Sequence, residues 1–428
     1  MREMKDSGIE WIGAIPQDWQ LSKIGSLYTQ RNEKVSDNDY QPLSVTMQGI
    51  LPQLATAAKT DDGDNRKLVR AGDFAINSRS DRRGSCGISP LDGSVSLINI
   101  ILTPRTAMHP GYYNWLFHTT LFADEFYKWG HGIVADLWTT RWQEMKSITV
   151  PVPEYAEQKR IVTFLDAQCA EIDAVLEKTR ASIEEYKKLK QAVITQAVTK
   201  GIHGDRPMKD SGIEWIGEIP AEWDVVRQKY FWNTVESGVS VNAADKPVDN
   251  SEQYGVLKTS AVSKFVFIPT EHKQVNLEEY GRVSCPVRAD SIIASRMNTP
   301  ELVGACGYVQ NNYPNLFLPD RLWQITFKDR LSPKYVWYYL SGIRVRQYIS
   351  SLSTGTSSSM QNISQSQYGN ILITIPSVEE QSEITKYLDE KYAGIDALIA
   401  KKQQYLTEIE NYKKSLIYEY VTGKKEVV

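Results

Sequence analysis

The residues from Met4 to Pro16 read "MKDSGIEWIGAIP", and the residues from Met208 to Pro220 read "MKDSGIEWIGEIP". The two copies differ at one position, where Ala14 in the first faces Glu218 in the second. A word so rich in Trp and Ile is rare. Its recurrence so far along the chain predicts that the whole protein follows a duplicated plan.

A second pair of related segments supports the duplication. The segment "ITVPVPEYAEQKRIVTFLDAQCAEIDAVLEKT" begins at Ile148, and "ITIPSVEEQSEITKYLDEKYAGIDALIAKK" begins at Ile373. Removing two residues from the first aligns several positions: Pro151 with Pro376, Gln158 with Gln381, Leu165 with Leu388, Asp166 with Asp389, and Asp173 with Asp396. The period far exceeds the 20 to 50 residues of solenoid repeats, so it indicates domain duplication.

In each half, a middle segment lies between the Trp-Ile word and the second repeated segment. The two middle segments share a few short motifs, and the residues between those motifs differ. "LVRAGDFAINSR" at Leu68 matches "PVRADSIIASR" at Pro286, and "GSCG" matches "GACG". Apolar runs bounded by polar turns favour strands with exposed loops. "PGYYNWLF" at Pro110 and "PKYVWYYL" at Pro333 predict helices that begin at proline. Each middle segment is therefore interpreted as a compact α+β domain.

Each α+β domain is followed by a long segment whose apolar residues recur in alternating steps of four and three. Such a heptad seam either packs on its own domain or pairs with another helix. The two seams carry polar breaks at matching steps, Thr179 and Lys190 in one, Lys402 and Lys413 in the other, which favours mutual pairing. The predicted coiled-coil residues are Ile172, Leu176, Ile183, Tyr186 and Val193, and Ile395, Ile399, Leu406, Ile409 and Leu416.

The resulting fold prediction is α+β, with two pseudo-twofold-related domains separated by two long antiparallel coiled-coil helices of roughly 60 Å. The Trp-Ile word would connect each helix end to the next domain, with Trp11 and Trp215 as anchors. The predicted division is 1–19 connector, 20–153 first domain, 154–203 central long helix, 204–223 repeated connector, 224–378 second domain and 379–428 C-terminal long helix.

Composition places the chain among ordinary globular proteins. It has 428 residues, 41% hydrophobic and 24% charged, and a formal net charge of −3. No apolar run approaches the roughly 18 residues of a membrane span, and no signal peptide is evident, so a cytoplasmic location without membrane contact is expected. The four cysteines lack metal-binding spacing.

Catalytic motifs are missing from the sequence. There is no GxxxxGK[ST] phosphate loop, no HExxH pair, no GxSxG elbow and no Asn-Pro-Pro-Tyr or Asp-Pro-Pro-Tyr stretch. The five histidines are scattered. Binding is therefore favoured over catalysis, and neither a cofactor nor a metal is expected in this chain.

The combined motifs resemble the specificity subunits of type I restriction-modification systems. The resemblance rests on "GIEWIGxIPxxW" twice, a looser "IPxPxxxEQxxI" twice, the long helices, and "GTSSSMQNIS" from Gly355. The first domain departs from this pattern, because "HGIVADLWTTRW" stands where the second has "STGTSSSMQNIS".

The resemblance implies a non-catalytic DNA-binding subunit with two target recognition domains, one for each half of a bipartite target in double-stranded DNA, and a helical rod that sets the spacer. It also implies two methyltransferase (M) subunits that use S-adenosylmethionine, and motor-nuclease (R) subunits that use ATP and Mg²⁺. Such complexes methylate DNA and defend the cell against foreign DNA.

Base edges are read by Arg, Lys, Asn, Gln and small hydroxyl side chains, and the divergent polar loops carry them. Solvated surface turns are the alternative interpretation of the same loops. The candidate DNA-binding residues are Asn77, Ser78, Arg79, Asp81, Arg82 and Arg83, then Ser295, Arg296, Met297, Asn298 and Thr299, and finally Thr356, Ser357, Ser358, Gln361 and Asn362. A coiled-coil scaffold with two protein-binding domains is the alternative function.

Overall fold

The computed structural model describes residues 2–53, 63–105, 108–132, 138–250, 252–357 and 360–427. It divides into two compact units, the first formed by Met1–Arg180 with Gln403–Val428 and the second by Ala181–Lys402. In the described ranges, no helix has the length and apolar character needed to cross a bilayer.

The first unit is built on a four-stranded antiparallel sheet. Its strand order is Cys86–Ile88, Phe74–Asn77, Asn99–Pro104, Tyr28–Arg31. A smaller sheet, Gly93–Val95, Arg66–Val69 and Lys34–Val35, lies beside a hairpin of Leu43–Thr46 and Gly49–Pro52. The apolar run within "LVRAGDFAINSR", which predicts a strand, forms the strand Phe74–Asn77. The remaining strands are the pairs Met4–Asp6 with Ala14–Pro16 and Gln20–Lys23 with Thr149–Val152.

The second unit repeats this sheet in the same order, with Cys306–Val309, Ser291–Ser295, Leu322–Phe327 and Trp232–Ser237. Its second sheet is larger, with the strands Ala243–Ala244, His272–Val275, Gly255–Leu257, Tyr313–Phe317 and Pro286–Val287. Two strand pairs match those of the first unit, Met208–Asp210 with Glu218–Pro220 and Asp224–Arg227 with Leu372–Ile375. Short strands at Met297–Asn298, Thr354–Ser357 and Met360–Asn362 form a third sheet.

The predicted proline-started helices are confirmed at Pro110–Phe117 and Pro333–Ser341. Each presents buried tyrosines to its sheet, and each is followed by a second helix, Thr120–Lys128 or Ile343–Leu352. The remaining short helices are Ile24–Leu27, Trp142–Met145 and Gln365–Gly369, and 3₁₀ turns occur at Ser80–Arg82, Gln228–Phe231, Thr259–Val262 and Leu277–Glu279.

The central long helix spans Tyr155–Lys200, and the C-terminal long helix spans Val378–Val421. In the first unit the two helices are antiparallel, because the contacting residue numbers rise along one helix and fall along the other. The rings of Phe164 and Tyr420 lie 4.4 Å apart, Asp173 binds Lys413 at 2.7 Å and Arg180 binds Glu410 at 2.5 Å. In the second unit, Lys190 binds Asp396 at 2.7 Å and Tyr186 lies under Lys402. The α+β class and the antiparallel helix pairing are therefore confirmed within each unit.

The predicted seam residues line these helix pairs. Leu176, Ile183, Ile395, Leu406 and Leu416 are buried. The others are half-buried, namely Ile172, Tyr186, Val193, Ile399 and Ile409. Two of the four polar breaks have a structural reason, because Lys190 and Lys413 each bind the aspartate of the facing "Ile-Asp" pair.

The Trp-Ile word forms a two-stranded hairpin in each unit. Trp11 is buried beside Leu416 and Val421 at the end of the C-terminal long helix, as predicted. Trp215 is half-buried and packs against Tyr348. The more deeply buried tryptophans are the last residues of the repeated motif, Trp19 and Trp223, which the sequence analysis did not choose as anchors.

Each of these tryptophans belongs to a three-residue cluster that we call the connector clamp: Arg2, Trp19 and Glu157 in the first unit, and Arg206, Trp223 and Glu380 in the second. The indole N–H of Trp19 donates to Glu157 at 2.9 Å, and that of Trp223 donates to Glu380 at 2.8 Å. The other carboxylate oxygen of each glutamate accepts from the arginine. The hydrogen bond to Glu157 raises the pKa of Arg2. The clamps tie each hairpin to the start of a long helix.

The glutamine that follows each clamp glutamate is also structural. Gln158 is buried and accepts from the backbone N–H of His109 at 2.8 Å, while Gln381 accepts from that of Ser332, also at 2.8 Å. Both amide groups also donate to main-chain carbonyls. The repeated "EQ" dipeptide therefore fastens a long helix to the hairpin through its Glu and to the proline-started helix through its Gln.

Candidate nucleic-acid interface

The candidate loops leave the sheets at equivalent places. In the first unit the loop follows the strand Phe74–Asn77, and in the second it follows Ser291–Ser295. Both strands are central in their sheets and buried along their whole length. A rigid strand therefore delivers each loop, an arrangement that suits recognition, because scaffolded loops carry most binding residues.

The first two candidates of the first loop shape the turn itself. Asn77 and Ser78 are 6% and 4% exposed. The side-chain oxygen of Asn77 accepts from the N–H of Arg79 at 3.0 Å, and the hydroxyl of Ser78 donates to the carbonyl of Ile98 at 2.5 Å. Because both side chains are buried and bound to the main chain, they stabilise the loop and do not face solvent.

The next candidate, Arg79, is half-buried, and the last three lie at the 3₁₀ turn Ser80–Arg82 and directly after it. Asp81, Arg82 and Arg83 are exposed. Arg82 keeps 68% of its side chain exposed and lies 3.6 Å from the Asp81 carboxylate. Arg83 forms an ion pair with Asp124 of the helix Thr120–Lys128 and lies over the ring of Tyr127. Arg82 is therefore the arginine best placed to meet a ligand, and Asp81 can orient it.

In the second unit the structure joins two candidate segments that are far apart in sequence. Met297 and Asn298 pair with Asn362 and Gln361 in a three-stranded sheet whose outer strand is Thr354–Ser357. Ser295 is buried, and its hydroxyl donates to the Met297 carbonyl.

The remaining candidates of the second unit are half-buried or lie outside the described positions. Arg296, Met297, Asn298, Thr299, Gln361 and Asn362 are half-buried. The Thr299 hydroxyl and the Asn362 carbonyl oxygen are buried without a hydrogen-bond partner among the described residues. Such groups normally find a partner, because leaving them unpaired costs about 1–3 kcal/mol each. Ser358 lies outside the described residues, and the side chains of Thr356 and Ser357 are not described.

One segment of the first unit was aligned by sequence with "STGTSSSMQNIS" but was not among the candidate residues. Thr139 forms a bridge with both Arg79 and His131, and the N–H of Ser80 donates to the Trp138 carbonyl at 3.1 Å. This segment lies beside the first loop as Met360–Asn362 lies beside the second. Its described residues, "WTT" from Trp138, do not resemble "MQN", but both segments come before a short helix and a final strand.

The described residues contain no group of three His, Cys, Asp or Glu side chains that could hold a metal ion. All four cysteines are free and buried. Burial raises the pKa of Cys285 and of Cys306 to about 11, so both thiols stay protonated at neutral pH. Burial also lowers the pKa of His118, which keeps the imidazole beside Cys86 neutral.

Comparison with known proteins defines the class to which this fold and these loops correspond. Residues 220–408 match the family described as "Type I restriction modification DNA specificity domain". This range takes in most of the second unit, including the loop after Ser291–Ser295 and the sheet that contains Gln361.

Curated relatives carry the match beyond that range. The chain is 27% identical over 296 residues to the type I restriction enzyme MjaVIII specificity subunit of Methanocaldococcus jannaschii, covering 66% of this chain and 63% of that relative. It is 21% identical to the EcoKI specificity subunit of Escherichia coli K12, covering 65% of this chain and 58% of that one. The alignments thus span less than two thirds of either relative. The predicted resemblance to the specificity subunits of type I restriction-modification systems is confirmed by these matches.

Solved structures share the fold. The HsdS subunit from Thermoanaerobacter tengcongensis aligns with a TM-score of 0.51 at 16% identity, over 96% of this chain and 98% of that one. A chain from a study of complex assembly and conformational transition of the type I R-M system aligns with a TM-score of 0.71 at 15% identity, over 96% and 99% of the two chains.

Proposed function

We propose that this chain is a DNA sequence-specificity subunit of a type I restriction-modification complex, in which each unit reads one half of a bipartite target in double-stranded DNA. The observation that carries the proposal is the contrast between matched frames and unmatched loops. Equivalent buried strands, Phe74–Asn77 and Ser291–Ser295, end in polar loops of unrelated sequence. Two readers on one scaffold should read two different half-sites.

The side chains suit readout of base edges. Arg82 is exposed and carries the guanidinium that pairs with guanine, while Asn298 and Gln361 carry the amides that pair with adenine. The unpaired oxygens of Thr299 and Asn362 support the proposal, because a ligand can supply the partners that the described residues do not. Arg296 supplies positive charge for phosphates in a chain of net charge −3.

The paired long helices are proposed to set the spacer between half-sites. The half-sites would lie about one DNA turn apart, roughly 34 Å. Inserting one heptad into each helix keeps the seam in register and adds about 10 Å, near three base pairs. The expected result is a spacer longer by about three base pairs with both half-sites unchanged. An unchanged spacer would refute the ruler role.

The family resemblance extends the proposal to partners and location. The chain would recruit two methyltransferase subunits, which use S-adenosylmethionine, and motor-nuclease subunits, which use ATP and Mg²⁺, in the cytoplasm. It would hold no cofactor and catalyse nothing itself. Incubated alone with DNA and labelled S-adenosylmethionine, the purified chain should transfer no methyl group. Methyl transfer with the wild-type sequence preference would contradict the non-catalytic role.

The main test is an exchange of residues 20–153 with the same region of a relative of different specificity, followed by methylome sequencing in cells that also carry the methyltransferase. One half-site should change and the other should stay. The reciprocal exchange of residues 224–378 is the matched control and should change the other half-site. If neither exchange alters the methylated sequence, the scaffold alternative gains support.

A further inference from the structure

The loop after the strand Ser291–Ser295, residues 296–299, is called the second reading loop, and the loop after Phe74–Asn77 the first. The helix Ile343–Leu352 binds the main chain that follows the second reading loop. The guanidinium Nη2 of Arg346 donates to the carbonyl of Val303 at 2.6 Å and to that of Glu301 at 3.2 Å. One helical turn later, the hydroxyl of Ser350 donates to the carbonyl of Pro300 at 2.9 Å. Two side chains of one helix therefore bind three carbonyls of the segment Pro300–Val303, which begins directly after Thr299.

Arg346 occupies this place at an electrostatic cost. Its Nε and Nη1 have no hydrogen-bond partner, and the ion pairs of the described residues give it no carboxylate. Its guanidinium lies 4.9 Å from the ring centre of Phe265, and burial lowers its pKa. Removing a cation from water without a counter-charge is unfavourable.

We propose, resting on the proposed function, that Arg346 is a positioning residue for DNA recognition by the second unit, holding Pro300–Val303 so that Met297 and Asn298 face a half-site. The three carbonyls it shares with Ser350 fix the end of the reading loop. The paired strand Met360–Asn362 fixes its start. The loop between these two supports has little freedom left, and a pre-organised loop loses less entropy on binding.

The first unit supports its loop from the equivalent helix, Thr120–Lys128, with different groups. There the hydroxyl of Tyr127 reaches the Asn77 carbonyl at 3.5 Å, and Asp124 pairs with Arg83. Counted from the proline that begins the preceding helix, Tyr127 corresponds to Ser350 and Ala123 corresponds to Arg346. The arginine contact is thus particular to the second unit. Its loss should affect one half-site only.

The test compares Arg346→Met with Arg344→Met in the full chain with its methyltransferase. Arg344 lies on the same helix and is exposed, so its substitution removes the same charge without touching the loop. For Arg346→Met we expect methylation to lose about tenfold discrimination at the second half-site, with the first half-site read as before. The melting temperature should change little, because the loss of two hydrogen bonds to carbonyls is offset by the removal of a buried cation that has no counter-charge. Arg346→Lys should restore part of the discrimination.

Two other outcomes would count against the inference, and a third would count against the proposed function. A lower melting temperature with equal loss at both half-sites would make Arg346 an ordinary structural residue. Unchanged discrimination at the second half-site in a stable variant would show that the loop needs no such support. Failure of the wild-type protein to direct methylation to a two-part sequence would instead refute the proposed function, and the wild-type control separates that failure from the other two.

Discussion

The two units hold their connector hairpins with the same three side chains and their reading loops with different ones. Each hairpin is fastened by an arginine, a tryptophan and a glutamate, which are Arg2, Trp19 and Glu157 in one unit and Arg206, Trp223 and Glu380 in the other. At the loops, Asp124 binds Arg83 in the first unit, whereas Arg346 binds main-chain carbonyls in the second.

The contrast separates two physical demands. A clamp must satisfy an indole N–H and a guanidinium beside a buried tryptophan, and few side chains other than glutamate accept both hydrogen bonds at once. A loop support only has to hold a main chain still, and many side chains can do so. The duplicated frame therefore keeps its chemistry while the loops diverge.

The largest expected effect comes from the clamp tryptophans. Trp19→Ala and Trp223→Ala each remove a fully buried ring and should lower the free energy of unfolding by about 3–5 kcal/mol, to a similar extent in both units. Equilibrium denaturation in guanidinium chloride measures this change in the free energy of unfolding. Trp129→Ala, at an exposed position, is the control and should cost far less. A large cost in one unit and none in the other would break the equivalence of the clamps.

A smaller effect is expected from the clamp glutamates. Glu157→Gln and Glu380→Gln keep the shape but weaken the charge-assisted hydrogen bonds with Arg2 and Arg206, so each should cost about 2 kcal/mol in unfolding free energy. Asp18 binds the same Arg2 from an exposed position, with 67% of its side chain exposed. Asp18→Asn should therefore cost less than about 1 kcal/mol. Equal costs for the two kinds of pair would mean that burial does not govern the clamp.

The exposed loop arginine should affect recognition without affecting stability. Arg82→Ala should leave the free energy of unfolding within about 0.5 kcal/mol of wild type, because its side chain is largely exposed. It should weaken discrimination of a guanine in the first half-site by about 1–3 kcal/mol, measured from methylation rates on mismatched duplexes. Equal weakening on every sequence would assign Arg82 to a phosphate instead.

The smallest effect belongs to the seam pairs. Asp173→Asn and Asp396→Asn remove the partners of Lys413 and Lys190, and each should cost about 0.5 kcal/mol, less at high salt. Thermal melts of each variant at low and high ionic strength measure the cost and its dependence on salt. Unequal costs for the two aspartates would show that the matching heptad breaks do not have matching roles.

Local patterns were enough to predict much of the frame. The proline before each aromatic run predicted a helix start, and the four-three spacing of apolar residues predicted the seam. These signals are visible in sequence because helix starts and helix faces depend on neighbours a few residues away. The polar breaks at Lys190 and Lys413 were visible too, but their aspartate partners lie more than 200 residues away.

The loops show where sequence reasoning stopped. Asn77 and Arg82 looked equally suited to contact a base, yet the structure buries the first as a turn support and exposes the second. Residue type alone does not say which way a side chain points. Likewise, nothing local indicated that Asn298 would pair with Gln361 in one small sheet.

The sequence by itself determined the duplication, the heptad seams and the class of recognition chemistry, because repetition, periodicity and residue type are properties of the chain. Only the tertiary structure decided that Glu157 would join Trp19 to a helix 138 residues away and that Arg346 would support Pro300–Val303. Such contacts depend on where distant segments meet, and this is settled by the burial of the whole core rather than by local preference.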